Sequence, residues 1–204
     1  MYTLYSMQSS GNCYKCRLTL SQCELPYTLE DVDIREGATR TPDFLAINPN
    51  GKVPVLALPD GRTLAESNAI LVYLAHGSPL LPEERFERAK VMEWLFFEQY
   101  SHEPYIAVAR YWLSLHPGGR EMQAARISDW LEHGHRALGV MERHLDTNGF
   151  FVGGRYTIAD TALYAYTHVA EDGDFELERY PAIRAWFERV KAQPRHVTMD
   201  TRPA

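Results

Sequence analysis

The sequence has little cysteine and no long apolar run. It contains three cysteines among 204 residues, and an odd number argues against the disulfide framework of small secreted domains. No apolar stretch approaches the ~18 residues that a membrane-spanning helix needs. Met1–Tyr5 shows no basic segment leading into a long apolar one, so we expect no signal peptide. These absences favour a reduced, cytoplasmic protein without a membrane partner.

Basic residues are scarcer than acidic ones. The chain has 21 Lys and Arg against 27 Asp and Glu, a net charge of -6, which argues against nucleic acid as a main partner. The eight histidines are scattered. His133 and His135 are two residues apart on a predicted helix and therefore face different directions, so we expect no metal site.

Two stretches organise the first third of the chain. Asn48–Leu56 predicts a turn that leads into a short strand, in which Pro54 cannot donate to a ladder and marks an edge or a bulge. Ala65–Ile70 predicts a strand end followed by a helix with Ser67 at its N-cap. A free strand edge pairs with a peptide backbone, and a helix N-terminus holds a carboxylate. Together the two stretches predict a peptide-binding site.

Hydrophobic periodicity predicts a strand, a helix and a strand, and then two strands and a helix. The strand–helix–strand unit implies parallel pairing, and the turn before the last strand implies a hairpin. The predicted elements are strand Tyr2–Met7, helix Cys13–Cys23, strand Tyr27–Asp33, a short helix near Pro42–Leu45, strands Val53–Leu58 and Arg62–Ala65, and helix Ser67–His76.

The rest of the chain is predicted to be helical. Gly77–Pro82 is rich in helix breakers and predicts a linker. The predicted helices are Glu83–His116 with a kink at Pro104, Arg120–Asp146, one opened by a capping box at Thr157–Asp160, and Ala182–Ala192. The last stretch, Pro194–Ala204, is expected to fray.

These motifs resemble those of the glutathione S-transferase family, in its serine-type, theta- or zeta-like bacterial branch. The family carries Val-Pro with a cis proline, as in Val53-Pro54 here. It then carries Glu-Ser at a strand-to-helix junction, as in Glu66-Ser67, and a cap such as Thr157–Asp160 in a buried helix. The motifs occur in the family's order, so the resemblance covers nearly the whole chain.

The resemblance implies a fold, a reaction and an assembly. The fold class is α/β plus all-α, with a thioredoxin-like βαβ-ββα domain at residues 1–76 and an all-helical domain at residues 83–204. Glutathione, the co-substrate, binds to the first domain as its thiolate and attacks a small hydrophobic electrophile held by the second. No metal takes part. Family members usually pair as two-fold homodimers, so we expect a homodimer.

The resemblance also implies which residues bind glutathione. Ser67 would bind the γ-glutamyl carboxylate, and Glu66 would face the ammonium. The Val53 backbone, next to Pro54, would pair with the cysteinyl backbone, and Lys52 would reach the glycyl carboxylate or the backbone. A plain helix cap and a solvated surface lysine are the alternatives, and Arg40 is a weaker candidate for a carboxylate.

The glutathione thiol must ionise, since a free thiol has a pKa near ~8.5. A hydroxyl donor at a helix N-terminus favours the thiolate. The resemblance assigns this catalytic role to Ser10, just before the first helix, while Ser9 and Asn12 remain alternatives. Helix capping is the alternative for all three. Tyr5 lies about five residues before Ser10 and is expected to pack in the core.

Cys13 and Cys16 form a Cys-x-x-Cys motif, which raises the alternative of a glutathione-dependent disulfide reductase or thiol transferase. In such enzymes the first cysteine stands just before the helix, where Ser10 stands here. The pair is therefore one turn out of register, and we expect it to be buried packing. A non-catalytic binding module on the same fold is the other alternative.

The resemblance places the electrophile pocket along the first long helix of the second domain. Tyr105 and Arg110 belong to an aromatic and charged cluster near Pro104 and are the first candidates to line that pocket. Core aromatic packing and surface charge are the alternatives.

Overall fold

The computed structural model describes residues 1–202, which form two compact units. One unit is Met1–Ser78 together with the segment that starts at Pro194, and the other is Pro79–Gln193. Within residues 1–202, no helix is long and apolar enough to cross a membrane. The same residues hold no group of three or more His, Cys, Asp or Glu side chains that could bind a metal ion.

The first unit contains a four-stranded sheet with the strand order β2-β1-β3-β4. β1 pairs in parallel with β2, while β3 runs antiparallel to both β1 and β4. This arrangement confirms the predicted thioredoxin-like βαβ-ββα domain. Its elements are β1 (Tyr2–Ser6), α1 (Gly11–Gln22), β2 (Tyr27–Asp31), α2 (Pro42–Ile47), β3 (Val55–Ala57), β4 (Thr63–Ala65) and α3 (Ser67–Leu74), with single 3₁₀ turns at Ile34–Glu36 and Ala38–Arg40.

The prediction of a strand over Val53–Leu58, with an edge or a bulge at Pro54, is wrong in the bounds of the strand and in placing it at an edge. β3 covers only Val55–Ala57 and lies between two neighbouring strands. The Val53–Pro54 peptide bond is cis, as expected, and both residues precede the ladder. Proline lacks an N–H donor, so the strand begins only after it.

The core of this unit lies on both sides of the sheet. Val32, Phe44 and Val55 form a buried cluster on one side, and Tyr5 packs edge to face on Phe44, with ring centroids 6.2 Å apart. This contact confirms the packing role expected for Tyr5. Residues 13–20 of α1 are all buried, so this helix is covered on every face.

The second unit is helical throughout, which confirms the predicted fold class. Its α-helices are α4 (Arg85–Phe97), α5 (Glu103–Arg110), α6 (Gly119–Met122), α7 (Ile127–Leu145), α8 (Ile158–Thr167) and α9 (Pro181–Lys191). The long helix predicted over Glu83–His116 is interrupted by π-helical turns at Glu98–His102 and Tyr111–Leu115. Pro104 sits in the first turn of α5, where its missing N–H costs no intrahelical hydrogen bond.

The predicted capping box opens α8. Thr157 is the N-cap and its hydroxyl oxygen accepts from the Ala159 N–H, while Asp160 Oδ2 accepts from the Thr157 N–H at 2.9 Å. Asp160 Oδ1 also accepts from the Trp186 indole N–H at 3.0 Å. The box therefore ties α8 to α9 in the core of the helical unit.

The expected fraying of the C-terminal segment is wrong for residues 194–202. Met199 is buried, and Tyr14 donates its hydroxyl to the Val197 carbonyl at 2.7 Å. Hydrogen bonds from α1 to the segment's carbonyls hold it on that helix, within the first unit, although its composition predicts a loose end. Pro203 and Ala204, which share the prediction, lie outside the described residues.

Candidate functional site

The strand register gathers the predicted site at one end of the sheet. Val55 pairs with Tyr5 of β1 and with Ala65 of β4. The cis Val53-Pro54 pair therefore enters the sheet where β1 gives way to the loop of Ser10 and where β4 gives way to Glu66. Three segments that are far apart in the sequence thus meet at one sheet end: the loop before α1, the approach to β3 and the start of α3.

The start of α3 differs from its prediction in one respect. Glu66, and not Ser67, occupies the N-cap, with φ 67° and ψ 113° and with no side-chain capping hydrogen bond. A positive φ is unusual for a residue other than glycine and costs of the order of 1–3 kcal/mol. The Glu66 carboxylate is exposed, whereas Ser67 is buried as the first helical residue. The N-cap assignment of Ser67 is therefore wrong, because its side-chain type gave no sign of the left-handed residue before it.

The start of α1 carries Ser10 as predicted. Ser10 is the N-cap, and its hydroxyl oxygen accepts from the Cys13 N–H at 3.3 Å. The helix that follows has 12 residues, so its N-terminal partial charge lies next to the Ser10 hydroxyl. Ser10 therefore caps α1, and its hydroxyl, which accepts one hydrogen bond, can still donate another.

A buried polar cluster joins the two helix starts. Ser67 donates its hydroxyl to Asn12 Oδ1 at 3.1 Å, and Lys15 Nζ donates to the same oxygen at 2.8 Å. Lys15 Nζ also lies 3.5 Å from Ser67 Oγ and from Asn68 Oδ1. An ammonium group only donates hydrogen bonds, so it fixes which atom of the Asn12 amide is the oxygen. Two predicted residues, Asn12 and Ser67, are therefore held by one lysine.

Lys15 was missed by sequence reasoning. Its side chain is fully buried, which is rare for lysine. Its spacing of three residues from Asn12 on one helix was the available signal, because residues three apart are neighbours on a helix surface. A buried ammonium behind the start of α3 adds positive potential to that of the helix N-terminus. The cluster is therefore suited to an anionic group.

The approach to β3 carries an exposed lysine next to a fixed backbone. The Lys52 carbonyl accepts from the Asn48 amide at 2.7 Å, and its side chain is exposed. Arg40 lies over the same loop, where its guanidinium Nη1 donates to the Asn50 carbonyl at 3.4 Å. A side chain on Gly51 would collide with Arg40 Nη1 at 2.5 Å. Lys52 and Arg40 thus place two cations near the entry to β3.

The cysteines of the Cys-x-x-Cys motif are both buried and free. Burial raises the pKa of the Cys13 thiol, and contacts with Ser10 and the Met7 N–H offset only part of this effect. Burial also raises the pKa of Cys16 well above its ordinary value. Because the reactive form of cysteine is the thiolate, the geometry supports the packing role and disfavours redox work by this pair.

The two residues chosen for the electrophile pocket lie apart in the helical unit. Tyr105 stacks on His133, with ring centroids 4.7 Å apart, and lines a cavity of about 290 Å³. Arg110 is buried elsewhere, and its Nε donates to Asp172 Oδ2 at 3.0 Å. The cavity is lined by Phe97, Tyr100, Ser101, Tyr105, His133, Arg136, Ala137 and Val140.

Comparisons with known proteins agree with this geometry. The family model of the glutathione S-transferase N-terminal domain matches residues 9–76, and that of the C-terminal domain matches residues 121–189. A crystal structure of a possible glutathione S-transferase from Rhodopseudomonas palustris is 54% identical, with a TM-score of 0.97 over 99% of each chain.

Two further relatives have names that point to activities other than transfer. The disulfide-bond oxidoreductase YfcG of Escherichia coli is 31% identical over 90% of this chain and 87% of its own. The structure of yeast Ure2p in complex with glutathione is 27% identical, with a TM-score of 0.84 over 95% of this chain and 90% of its own. The chain is thus similar to proteins named for transfer, for disulfide chemistry and for regulation.

Proposed function

Since the chain belongs to the glutathione S-transferase family, we propose that it transfers glutathione to small hydrophobic electrophiles. Glutathione is the co-substrate and is bound by the domain at residues 1–76. The electrophile is bound by the helical domain at residues 83–204, with Tyr105, which lines the cavity, as its first candidate contact. The burial of Arg110 and its ion pair with Asp172 argue against the other candidate. The observation that carries the proposal is the meeting of two helix starts and a cis-proline turn at one end of the sheet.

The start of α3 supports the binding of the γ-glutamyl end. Its first N–H groups and the Ser67 hydroxyl suit a carboxylate, and the exposed Glu66 carboxylate suits the ammonium. The Val53 backbone precedes the ladder and can pair with the cysteinyl backbone beside Pro54, as an added strand does. Lys52 then faces the glycyl carboxylate. These contacts run along the same end of the sheet.

The start of α1 supports ionisation of the thiol. Ser10 donates a hydrogen bond from its hydroxyl to the thiolate, and the N-terminal partial charge of α1 favours the same anion. The thiolate then attacks the electrophilic carbon, the new carbon–sulfur bond forms, and the leaving group departs with the bonding electrons. The protein supplies an ionised nucleophile and proximity, and no covalent enzyme intermediate is needed. Asn12 and Ser9 are the alternative donors.

The test is the titration of bound glutathione in the natural chain and in two Ser10 variants, followed by the ultraviolet absorbance of the thiolate. Ser10→Ala removes the donor and the cap, whereas Ser10→Gly removes the donor and costs the cap only a few tenths of a kcal/mol. Both should raise the apparent pKa of the bound thiol and slow conjugation at neutral pH roughly ten- to a hundredfold, since a hydrogen bond to a charged group contributes ~1.5–3 kcal/mol.

Ser9→Ala is the matched control, because Ser9 lies one residue away in the same loop. It should leave the titration unchanged. Superimposable curves for the natural chain and both Ser10 variants would move the donor to Asn12 or Ser9. A natural chain that holds no thiolate at any pH would refute the proposed transfer altogether and leave a binding module.

The similarity to YfcG favours reduction of disulfides as the second candidate. Here the bound glutathione thiolate attacks a disulfide sulfur, releases one thiolate and forms a mixed disulfide. A second glutathione thiolate then releases the other thiol and oxidised glutathione. The buried Cys13 and Cys16 are not needed for these steps. A chain with both changed to alanine should keep whichever activity the natural chain shows, and loss of activity in a folded double variant would return the redox role to them.

We also propose a homodimer in the cytoplasm. Phe86, Phe96 and Tyr100 of the helical unit expose at least 70% of their surface and are the side chains that we propose for contact with a partner. In a two-fold dimer each chain presents the same patch. Light scattering should give about twice the chain mass, and a monomer at micromolar concentration would overturn this assembly.

A further inference from the structure

The C-terminal segment lies along one face of α1. The Arg195 carbonyl accepts from Ser21 Oγ at 2.9 Å, the Val197 carbonyl from Tyr14 Oη at 2.7 Å and the Met199 carbonyl from Arg17 Nη2 at 2.9 Å. Tyr14, Arg17 and Ser21 follow one another at i, i+3 and i+7, which places them on one helix face. The three acceptor carbonyls belong to alternate residues of the segment. The segment is therefore docked on α1 through its backbone.

Arg17 connects this docked segment to the loop that carries Ser10. Its guanidinium is buried, and Nη2 donates both to the Met199 carbonyl and to the Gln8 carbonyl, each at 2.9 Å. Nη1 donates to Ser6 Oγ at 3.0 Å. One rigid planar group thus joins the end of β1, the start of the loop and the C-terminal segment.

Gln8 makes a second connection to the same carbonyl. Its side-chain Nε2 donates to the Met199 carbonyl at 2.6 Å, so Gln8 is held by its backbone and by its side chain. Gln8 stands two residues before Ser10, and the Ser10 N–H donates to the Met7 carbonyl at 3.1 Å across the turn between them. Hydrogen bonds thus connect the turn that carries Ser10 to the segment that contains Met199.

We propose that residues 194–202 and Arg17 are positioning elements that hold the Ser10 loop in place for glutathione chemistry, an inference that rests on the function proposed above. Catalytic hydrogen bonds are sensitive to position, since a misplacement of about 1 Å can cost ~10²-fold in rate. A loop of small polar residues has little core of its own to fix it. The docked segment supplies the contacts that the loop lacks.

The sharpest variant is Gln8→Met. Gln8 Oε1 is buried and accepts no hydrogen bond from the described residues, so the nearly isosteric methionine removes only the Nε2 donor. Arg17 keeps its own contacts with Gln8 and Met199 through backbone carbonyls. A chain that ends at Gln193 removes the whole segment as the stronger variant.

Tyr14→Phe is the matched control. It removes one hydrogen bond of similar length to the same segment, at the Val197 carbonyl and away from the loop. Each protein is measured in three ways: thiolate absorbance of bound glutathione against pH, calorimetric affinity for S-methylglutathione, which has no thiol, and stability to urea. The second measurement reports binding without ionisation, and the third reports general loosening.

Gln8→Met and the truncated chain should hold roughly three- to tenfold less thiolate at neutral pH, with S-methylglutathione affinity within about twofold of the natural chain. Tyr14→Phe should lose stability and keep the natural thiolate curve. If the truncated chain folds and gives the natural curve, or if it does not fold and Gln8→Met gives the natural curve, the segment is only a stabilising contact and the proposal is wrong. Failure of the proposed function is distinct, because the natural chain itself would then hold no thiolate.

Discussion

The starts of α3 and α8 are two helix N-termini built in opposite ways. At α8, Thr157 and Asp160 are fully buried and form a closed capping box. Thr157 Oγ1 accepts from the Ala159 N–H, and Asp160 Oδ2 accepts from the Thr157 N–H. At α3, Glu66 occupies the N-cap with φ 67°, makes no side-chain capping hydrogen bond and is exposed. At α8 the capping box provides hydrogen-bond acceptors for the first N–H groups of the helix, whereas at α3 no capping side chain provides one.

The difference separates a structural helix start from a binding one. The first N–H groups of a helix need acceptors, which come from a cap, from water or from a ligand. A closed box contributes to folding and leaves nothing for a ligand, whereas an open start with a left-handed cap residue costs stability and offers donors to an anion. Changes at α8 should therefore act on stability, and changes at α3 on glutathione binding.

Asp160→Ala should have the largest effect, on stability alone. Four donors, the N–H groups of Thr157 and Phe151, the Thr157 hydroxyl and the Trp186 indole N–H, would lose their acceptor in a buried place. Unsatisfied buried donors cost ~1–3 kcal/mol each, so the free energy of unfolding should fall by about 3–5 kcal/mol in urea denaturation.

The control for this variant is Glu84→Ala, which removes an exposed acidic cap. Glu84 accepts from the N–H groups of Phe86 and Glu87 at the start of α4, where water can replace it. The expected loss is about 1 kcal/mol. Equal losses in the two variants would show that burial does not distinguish the two caps.

The pH dependence of stability should reveal the same buried carboxyl. Burial raises the pKa of Asp160 from 3.8 to about 7, against hydrogen bonds that lower it. The folded chain then binds this proton more tightly than the unfolded chain, so its contribution is complete below about pH 4 and is lost as the pH rises to about 7. Relative to Asp160→Asn, which does not titrate, the natural chain should lose on the order of 2–4 kcal/mol over that range. Parallel curves for the two proteins would contradict the shift.

Ser67→Ala should weaken glutathione binding with a smaller effect on folding. The variant removes a hydroxyl that suits the γ-glutamyl carboxylate and that also donates to Asn12. Calorimetry should show a loss of ~1.5–3 kcal/mol, the range for hydrogen bonds to charged groups. Asn68→Ala, which changes another side chain near Lys15, is the control and should stay within about twofold of the natural affinity. Unchanged affinity in Ser67→Ala would remove Ser67 from the site.

The sequence predicts features that depend on nearby residues. The box at Thr157–Asp160 was predicted because both partners lie within one helical turn, and the strand–helix order followed from local periodicity. The N-cap of α3 was predicted wrongly, because serine is a common N-cap residue. The side-chain type of Glu66 does not indicate its left-handed backbone conformation. Local patterns thus locate the helix and miss the residue that opens it.

Features that depend on distant parts of the chain were missed. Lys15 and Arg17 are buried because neighbours cover α1 on every face. The hydrophobic periodicity of the sequence does not predict the burial of these two charged residues. The C-terminal segment has the composition of a loose end, yet its backbone carbonyls find donors on α1. Side-chain patterns carry little information on where backbone groups will be bonded.

Glu66→Gly should change the free energy of unfolding least among these variants. It is the most informative of them, because stability should rise while glutathione affinity falls. Glycine adopts a positive φ at no steric cost, so it should relieve the strain at φ 67°. The relief is partly offset by the greater entropy that glycine loses on folding. The net gain in unfolding free energy should be roughly 0.5–1 kcal/mol.

The same substitution removes the exposed carboxylate that suits the ammonium of glutathione, so affinity should fall while stability rises. Glu66→Ala is the control: it removes the carboxylate as well but keeps a side chain at positive φ. The two variants should therefore lose similar affinity in calorimetry and differ in urea denaturation, with the glycine variant more stable. If Glu66→Gly proved less stable than Glu66→Ala, the left-handed cap would not be strained, and the contrast between the open and the closed helix start would lose its energetic basis.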